Sequence, residues 1–185
     1  SGTIPIEAAL MAAKIPPGTF REYYAFEKWI DFEPELFALI REKQMERIVD
    51  TEVRIFGNEL NKWVLEKARE NVEKAGVEDM VQLNLGDFRE YKHELKRGVV
   101  IINPPYGEKL KVEDVEELYG AIGTQLKHHY PGFKAWIFTG SPEGAKAIGL
   151  RPNRRIKLFN GPIECRLLGY ELFEGKKSER YLKEQ

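Results

Sequence analysis

A single α/β domain is predicted by three features of this sequence. Short β-type apolar runs alternate with helix-length segments along most of the chain. The last two strand-like segments face each other across Asn160-Gly161 as a closing antiparallel pair. Finally, 185 residues with 42% hydrophobic content suffice for one real core and are too few for two comfortable ones.

Composition excludes several classes of function. Lysine and arginine number 29 against 30 aspartates and glutamates, a formal net charge of −1. The basic footprint of a protein that grips nucleic acid unaided is therefore missing, and any RNA or DNA affinity must come from a local patch or from another domain. Cys165, the single cysteine, permits neither an intrachain disulfide nor a multi-cysteine zinc site. His93, His128 and His129 lie in charged or helical surroundings without metal-ligand spacing, so they read as solvated side chains and no metal is expected. No run resembles a signal peptide or a membrane span, which points to a reducing, cytoplasmic setting with no membrane partner.

Taken in order, the chain opens on Ser1-Gly2-Thr3 and a helix-forming segment from Ile4 to Ala13, with Thr3 as the expected N-cap and Pro5 tolerated in the first turn. In a nucleotide-binding α/β unit a strand and a glycine-rich turn precede such a helix, and neither is present here. Pro16-Pro17-Gly18 stops the helix. Phe20, Tyr23, Tyr24, Phe26, Trp29, Phe32 and Phe37 follow, an aromatic density that reads more readily as core than as a nucleic-acid platform. Pro34 opens a helix to about Met45 with Leu36, Phe37, Leu39 and Ile40 on its inner side.

Val53 to Glu59 alternates as a strand and ends in an acid. The helix from Lys62 to Ala75 carries Trp63, Val64, Ala68 and Val72 on one face, and Gly76 stops it. An acid at the carboxyl end of a strand is where nucleotide-binding α/β domains hold ribose hydroxyls, so Glu59 is the ribose candidate; the competing reading is a solvated strand-end acid. Val81 to Leu85 is the next strand and runs into Gly86-Asp87-Phe88.

The strongest signal is Asn103-Pro104-Pro105-Tyr106 at the end of the apolar run Val99-Val100-Ile101-Ile102. Asn offers a side-chain acceptor, the prolines fix φ and remove backbone donors, and Tyr offers a face on which a base stacks. That set suits group transfer to an exocyclic amine, while an ordinary strand-stopping loop with a capping Tyr remains the alternative. Beyond it, Val112 to Tyr130 is a long helix with Leu118, Ile122 and Leu126 on one face, and Ala135 to Thr139 is a buried strand. Glu143 to Ile148 is a short helix, and the segments Arg154 to Phe159 and Ile163 to Phe173 form the closing pair. Asn160-Gly161 supplies the φ > 0 residues of its turn. Cys165, mid-strand, reads as a small core residue. Arg151, Arg154, Arg155 and Lys157 form a basic cluster with two open readings, phosphate contact near an active-site mouth or a charged, solvated strand edge.

Several of these stretches resemble one family. Asn103-Pro104-Pro105-Tyr106 resembles the motif of amino-methyltransferases that use S-adenosylmethionine. Ser1-Gly2-Thr3 and its helix resemble the end of the Asp-Pro-x-Cys-Gly-Ser-Gly-Thr loop and Ile-Glu-Ala-Ala helix of the rRNA and tRNA guanine-N2 methyltransferases. Phe26-Glu27-Lys28-Trp29, Gly86-Asp87-Phe88, Gly107-Glu108-Lys109-Leu110 (with Lys where the family has Arg) and Asn160-Gly161-Pro162-Ile163-Glu164-Cys165 match further elements in the family's order. Over nearly its whole length the sequence is similar to the catalytic domain of the THUMP-associated class I S-adenosylmethionine-dependent methyltransferases, those acting on guanine N2 of 23S rRNA in particular.

The resemblance implies a Rossmann-like class I fold, mostly parallel with an antiparallel last strand, whose first strand is missing from this chain. It makes residues 1–174 an N-terminally incomplete catalytic domain and 175–185 a charged tail. S-adenosyl-L-methionine is the implied cofactor, with Ser1, Gly2 and Thr3 at its methionine end, Glu59 at the ribose, Asp87 and Phe88 at the adenine, and Asn103 beside the methyl. Asn103, Pro104, Pro105 and Tyr106 are the implied catalytic set. RNA, rRNA first and tRNA second, is the implied partner, recognised with an N-terminal THUMP domain that these residues lack. Adenine-N6 DNA methylation and a non-catalytic cofactor-binding module are the other readings kept.

Overall fold

The computed structural model describes residues 1–106 and 112–174, which fall into two compact units, Ser1–Phe88 and Arg89–Gln185. The Gly107-Glu108-Lys109-Leu110 element and the charged tail lie outside the described residues.

In the first unit, α1 (Thr3–Ala12) and α3 (Lys62–Lys74) pack on a parallel pair, β1 (Ile55–Glu59) and β2 (Val81–Leu85). The N-cap of α1 is Gly2 at φ +71°, so Thr3 is the first helical residue and not the cap expected of it. The left-handed conformation favours glycine, and a Cβ at this position would sit 3.1 Å from the Ala68 Cβ of α3. Helix α1 ends in a Schellman pattern: the Ile15 amide donates to Leu10 and the Lys14 amide to Met11, with Lys14 itself at φ +57°. Ala9, Leu10, Val72, Val77 and Val81 are the buried core here, extended by Ile6, Ile15, Ile55, Met80 and Leu83.

Two faces differ from the periodicity reading. In α3, Leu65, Ala68 and Val72 are buried, whereas Trp63 is 70% exposed and lies over the Lys67 ammonium side chain. In α2 (Pro34–Met45) no residue is buried, and Leu36, Leu39 and Ile40 are each about half exposed. The aromatics ahead of α2 form a small satellite rather than a core: Phe26 packs on Tyr24 at 5.0 Å and on Phe37 at 5.2 Å, while Phe20, Tyr23 and Trp29 are exposed. This satellite is pinned locally, by the Tyr24 hydroxyl donating to the Gly18 carbonyl at 2.8 Å and the Tyr24 amide donating to Glu27 at 2.9 Å.

The second unit is a four-stranded sheet in the order β3-β4-β6-β5, made of β3 (Gly98–Ile102), β4 (Phe133–Thr139), β5 (Arg154–Asn160) and β6 (Ile163–Glu171). The β3–β4 pair is parallel, and β4–β6 and β5–β6 are antiparallel. Helix α4 (Val112–His129) turns Val115, Tyr119, Ile122 and Leu126 inward at helical spacing; the Leu118 of the expected face is only half buried, and Tyr119 is fully buried in its stead. Its hydroxyl is satisfied by the Thr139 hydroxyl at 2.7 Å, which is what permits a phenol there. Helix α5 (Pro142–Ala147), capped by Ser141 accepting from the Gly144 amide, lies against α4 so closely that Gly123 has the Ile148 carbonyl where a side chain would be.

His93 departs from the solvated reading. Its ring lies tilted against Tyr130 at 4.4 Å and Phe133 at 5.0 Å between centroids, and both nitrogens are buried without a hydrogen-bond partner among the described residues. His128 and His129 are exposed as expected. Among the described residues no helix is long and apolar enough to cross a membrane, and no group of three or more His, Cys, Asp or Glu could hold a metal ion.

Gly123→Ala should lower stability by about 1–3 kcal/mol, the usual range for overpacking, read as a lower midpoint in thermal denaturation; an unchanged midpoint would contradict the close α4–α5 contact. A second expectation concerns alkaline pH. Burial pushes the Tyr170 phenol up to about 12, above the ~10 of an unfolded tyrosine, so its contribution is intact below ~10 and is lost as pH rises through the folded value. Tyr170→Phe, which also removes a buried hydroxyl without a partner among the described residues, should flatten the decline of denaturant midpoints between about pH 9 and about pH 12. An identical decline in both proteins would refute this.

Candidate active site

In the first unit the candidates meet at the carboxyl ends of the strands. Parallel pairing sets Glu59 opposite Leu85, and the Gly86 amide donates to the Glu59 carbonyl at 3.0 Å, so Glu59 and Asp87 leave adjacent strands at the same edge. Pro5, in the first turn of α1, lies next to Gly57 in the middle of β1, where a Cβ would be 3.8 Å from its ring. Thr3 is exposed at the start of α1. The Ser1 carbonyl accepts from the Asn71 side chain of α3 at 3.0 Å. Glu59 is half buried, and one of its carboxylate oxygens accepts from the Asn61 amide at 2.9 Å, which orients the group and leaves its further acceptor sites for a ligand. Asp87 and Phe88 are half buried, and Phe88 begins a short 3₁₀ turn to Glu90. The strand-end acid, the Gly-Asp-Phe turn and the glycine-capped helix are thus assembled in one unit. The side-chain oxygen of Asn58, buried on β1 with no partner among the described residues, is a further polar feature that the sequence did not flag.

In the second unit β3 ends at Ile102, and Asn103 to Tyr106 follow as a non-helical turn in which Asn103 and Pro105 are exposed, Pro104 is buried and Tyr106 is half buried. Parallel pairing of Ile102 with Ile137 brings this turn beside the end of β4. Gly140, just past β4, leaves the space the Tyr106 ring fills; a Cβ there would lie 2.9 Å from ring carbon Cδ2. Phe138 meets the ring edge-on, with centroids 6.1 Å apart at 79°. The phenol oxygen accepts from the Asn160 side-chain amide at 3.0 Å, and the Cys165 thiol donates to it at 3.7 Å. Burial pushes the Tyr106 phenol above its ordinary range, and the Asn160 hydrogen bond works against that rise.

The Asn160-Gly161 reading needs correction on this point. The loop between β5 and β6 is Gly161-Pro162, and only Gly161, at φ +58°, has a left-handed backbone; Asn160 is the last residue of β5, paired with Ile163. Its side chain serves Tyr106, a contact 54 residues apart in sequence. Cys165 is fully buried, as expected of a core residue.

The basic cluster lies on or beside β5, an edge strand exposed at every residue. Lys157 pairs with Glu164 across the hairpin at 2.7 Å, holds that carboxyl below the usual range, and lies over the Phe159 ring at 5.3 Å.

Comparison with known proteins gives a consistent result. The family model described as UPF0020, RMKL-like methyltransferase domain, matches residues 1–168. The ribosomal RNA large subunit methyltransferase K/L of Legionella pneumophila is 39% identical over 168 residues, covering 90% of this chain and 24% of the relative; that of Vibrio cholerae is 38% identical over 179 residues, covering 93% and 25%. The chain therefore spans about a quarter of the length of these curated relatives. Among solved structures, SMU.472, described as a methyltransferase in complex with SAH, has a TM-score of 0.84 at 30% identity and covers 95% of this chain and 46% of that chain. A Listeria monocytogenes protein described as a predicted N6-adenine-specific DNA methylase has a TM-score of 0.78 at 29% identity, covering 91% and 43%.

The packing around Cys165 has a direct readout. In peptide-resolved alkylation of the native protein the peptide carrying Cys165 should stay unmodified, and it should label fully in denaturant; rapid labelling of the native protein would contradict its burial.

Proposed function

Because the chain belongs to the RMKL-like methyltransferase domain family and has the class I methyltransferase fold, we propose that it transfers a methyl group from S-adenosyl-L-methionine to the exocyclic amine of a base in RNA, guanine N2 of 23S rRNA. The observation that carries this reading is the Asn103-Pro104-Pro105-Tyr106 segment at the carboxyl end of the parallel strand β3, with Asn103 exposed and the Tyr106 hydroxyl anchored. Residues 1–174 act in it as one catalytic domain, with 175–185 a charged tail.

The first unit fits the cofactor. Glu59 has carboxylate capacity beyond its bond to Asn61, which suits a ribose diol, and Asp87 with Phe88 suits the adenine amine and ring face. Gly2 and the backbone beside it would hold the methionine end, where amides at a helix N-terminus are unpaired. When bound, the cofactor supplies a sulfonium methyl that a nitrogen lone pair can attack. No metal enters this chemistry.

The rest falls to the chain's own groups. A guanine N2 is a weak nucleophile because its lone pair is delocalised into the ring. The side-chain oxygen of Asn103 and the carbonyl of Pro104 accept the two N–H bonds of the amine, which turns its lone pair toward the methyl and stabilises the positive charge as the C–N bond forms. Tyr106 stacks on a base taken out of its helix. One N–H proton is then lost to water. A near-neutral chain leaves the choice of RNA to segments beyond these residues, an N-terminal THUMP domain in this proposal, with contacts from Arg151, Arg154 and Arg155 at most supporting it. The site of action is the cytoplasm, where the single thiol stays reduced.

Labelled S-adenosylmethionine supplied to the full polypeptide carrying these residues, with unmodified rRNA, tRNA and DNA, tests the proposal. N2-methylguanosine in rRNA is expected. Asn103→Ala should lower kcat by about 10²–10³ with cofactor affinity little changed, and Glu59→Ala or Asp87→Ala should weaken cofactor binding about tenfold or more. Label in N6-methyladenine of DNA would replace this reading with the adenine one, label in tRNA would move the substrate, and cofactor binding without transfer would leave a binding module.

A further inference from the structure

Asn160 is not explained by the turn it adjoins. The backbone of the β5–β6 loop needs a left-handed residue only at Gly161, so the amide side chain at the preceding position is free to do something else. It donates to the Tyr106 hydroxyl at 3.0 Å, and the Cys165 thiol, from the partner strand of the same hairpin, donates to that oxygen at 3.7 Å. Both lone pairs of the phenol are thereby engaged from one hairpin. The ring is held on two other sides: the bare backbone of Gly140 lies under one part, with Ile163 of the hairpin also close to that position, and Phe138 lies at an edge.

A tyrosine whose only duty was to fill the core would need apolar neighbours and one partner for its hydroxyl. Tyr106 is instead only half buried, yet its rotation about χ1 and χ2 is constrained at the hydroxyl end by two donors and along the ring by Gly140 and Phe138. Such a ring has its plane set by the fold while part of it stays accessible, three residues after Asn103.

Resting on the function proposed above, the geometry points to Asn160 as a positioning residue for methyl transfer, which acts through the Tyr106 hydroxyl to fix the plane of the ring against which the target base lies. Gly140 supplies the space and Asn160 the latch. The ordering of the ring before the base arrives removes a conformational cost from the step in which amine and methyl must align. The hairpin thus contributes to catalysis without touching the reacting atoms.

The test is a double-mutant cycle in the full polypeptide, measuring kcat and KM for RNA with Asn160→Ala, Tyr106→Phe and the double variant. Asn160→Asp is the companion that keeps the size of the side chain but has no N–H to donate. Each single change is expected to lower kcat about tenfold, on the scale of one lost hydrogen bond, with KM for RNA and affinity for S-adenosylhomocysteine within about threefold. The double variant should be no slower than either single one, since both remove the same bond. Losses that multiply, or an Asn160→Ala or Asn160→Asp protein with unchanged kcat, would overturn the proposal. A second readout needs no methyl transfer: in protein with ¹³C-labelled tyrosine Cζ, the Tyr106 signal, identified by its disappearance in Tyr106→Phe, should titrate at higher pH once Asn160 no longer donates. An unmoved titration would also overturn it. That shift together with absent transfer to any nucleic acid would instead refute the methyltransferase reading and leave the Asn160–Tyr106 latch standing.

Discussion

Parallel pairing governs how the functional groups of this chain are collected. Parallel strands point their carboxyl ends to one edge, and the crossover between them is long enough to hold a helix. In the first unit the register Glu59 to Leu85 makes the acid and the Gly86-Asp87-Phe88 turn neighbours. In the second the register Ile102 to Ile137 makes Asn103–Tyr106 a neighbour of Gly140. The antiparallel strands extend the same logic: Thr139 lies opposite Arg166, so the start of β6 and the end of β5 arrive at that edge with Cys165 and Asn160. A slip of one residue in the β4–β6 or β5–β6 pairing would turn Cys165 or Asn160 to the other face and deprive the Tyr106 hydroxyl of a donor.

The interior is closed by polar groups as well as apolar ones. Tyr119 and Thr139 satisfy each other between α4 and β4, and the Gln125 amide donates to the Tyr91 carbonyl at 2.7 Å. Each bond has modest net worth, and each would leave a costly buried group if one partner were removed. Tyr170 and His93 illustrate the other side, aromatic bodies whose packing outweighs a polar tip that finds no partner among the described residues. Gly123 and Gly140 have a complementary role, since in both cases the missing side chain is replaced by a neighbour, the Ile148 carbonyl in one and the Tyr106 ring in the other.

Charge is distributed with little net sign, and its local pairing is short-ranged. The exposed pairs on α3, Lys67 with Glu70 and Arg69 with Glu66, contribute little each. On β5 the alternation of cations with Ile156, Leu158 and Phe159 gives an edge strand that water can cover and that resists pairing with another chain.

What the sequence determined by itself was local. Helix and strand positions follow from periodicity and from openers and breakers such as Pro34, Gly76 and Pro16-Pro17-Gly18, so nearly every element lies within two residues of its expected bounds. The strand-end acid Glu59, the Asp87 turn and the Asn103–Tyr106 turn could be found because each is a short run of residues whose chemistry is legible without neighbours. Tertiary structure decided what depends on register and packing. Periodicity gave α3 an apolar stripe but could not say that Leu65 and not Trp63 would be buried; it gave α4 a stripe but not Tyr119, whose place depends on a hydroxyl twenty residues on. Thr3 gave way to Gly2 at the helix start because the cap depends on backbone conformation, and His93 was drawn in by rings on other elements. The Asn160 bond to Tyr106 was out of reach for the same reason. A hydrogen bond between residues so far apart in the chain exists only once the strand order β3-β4-β6-β5 has been set, and no spacing along one segment encodes that order.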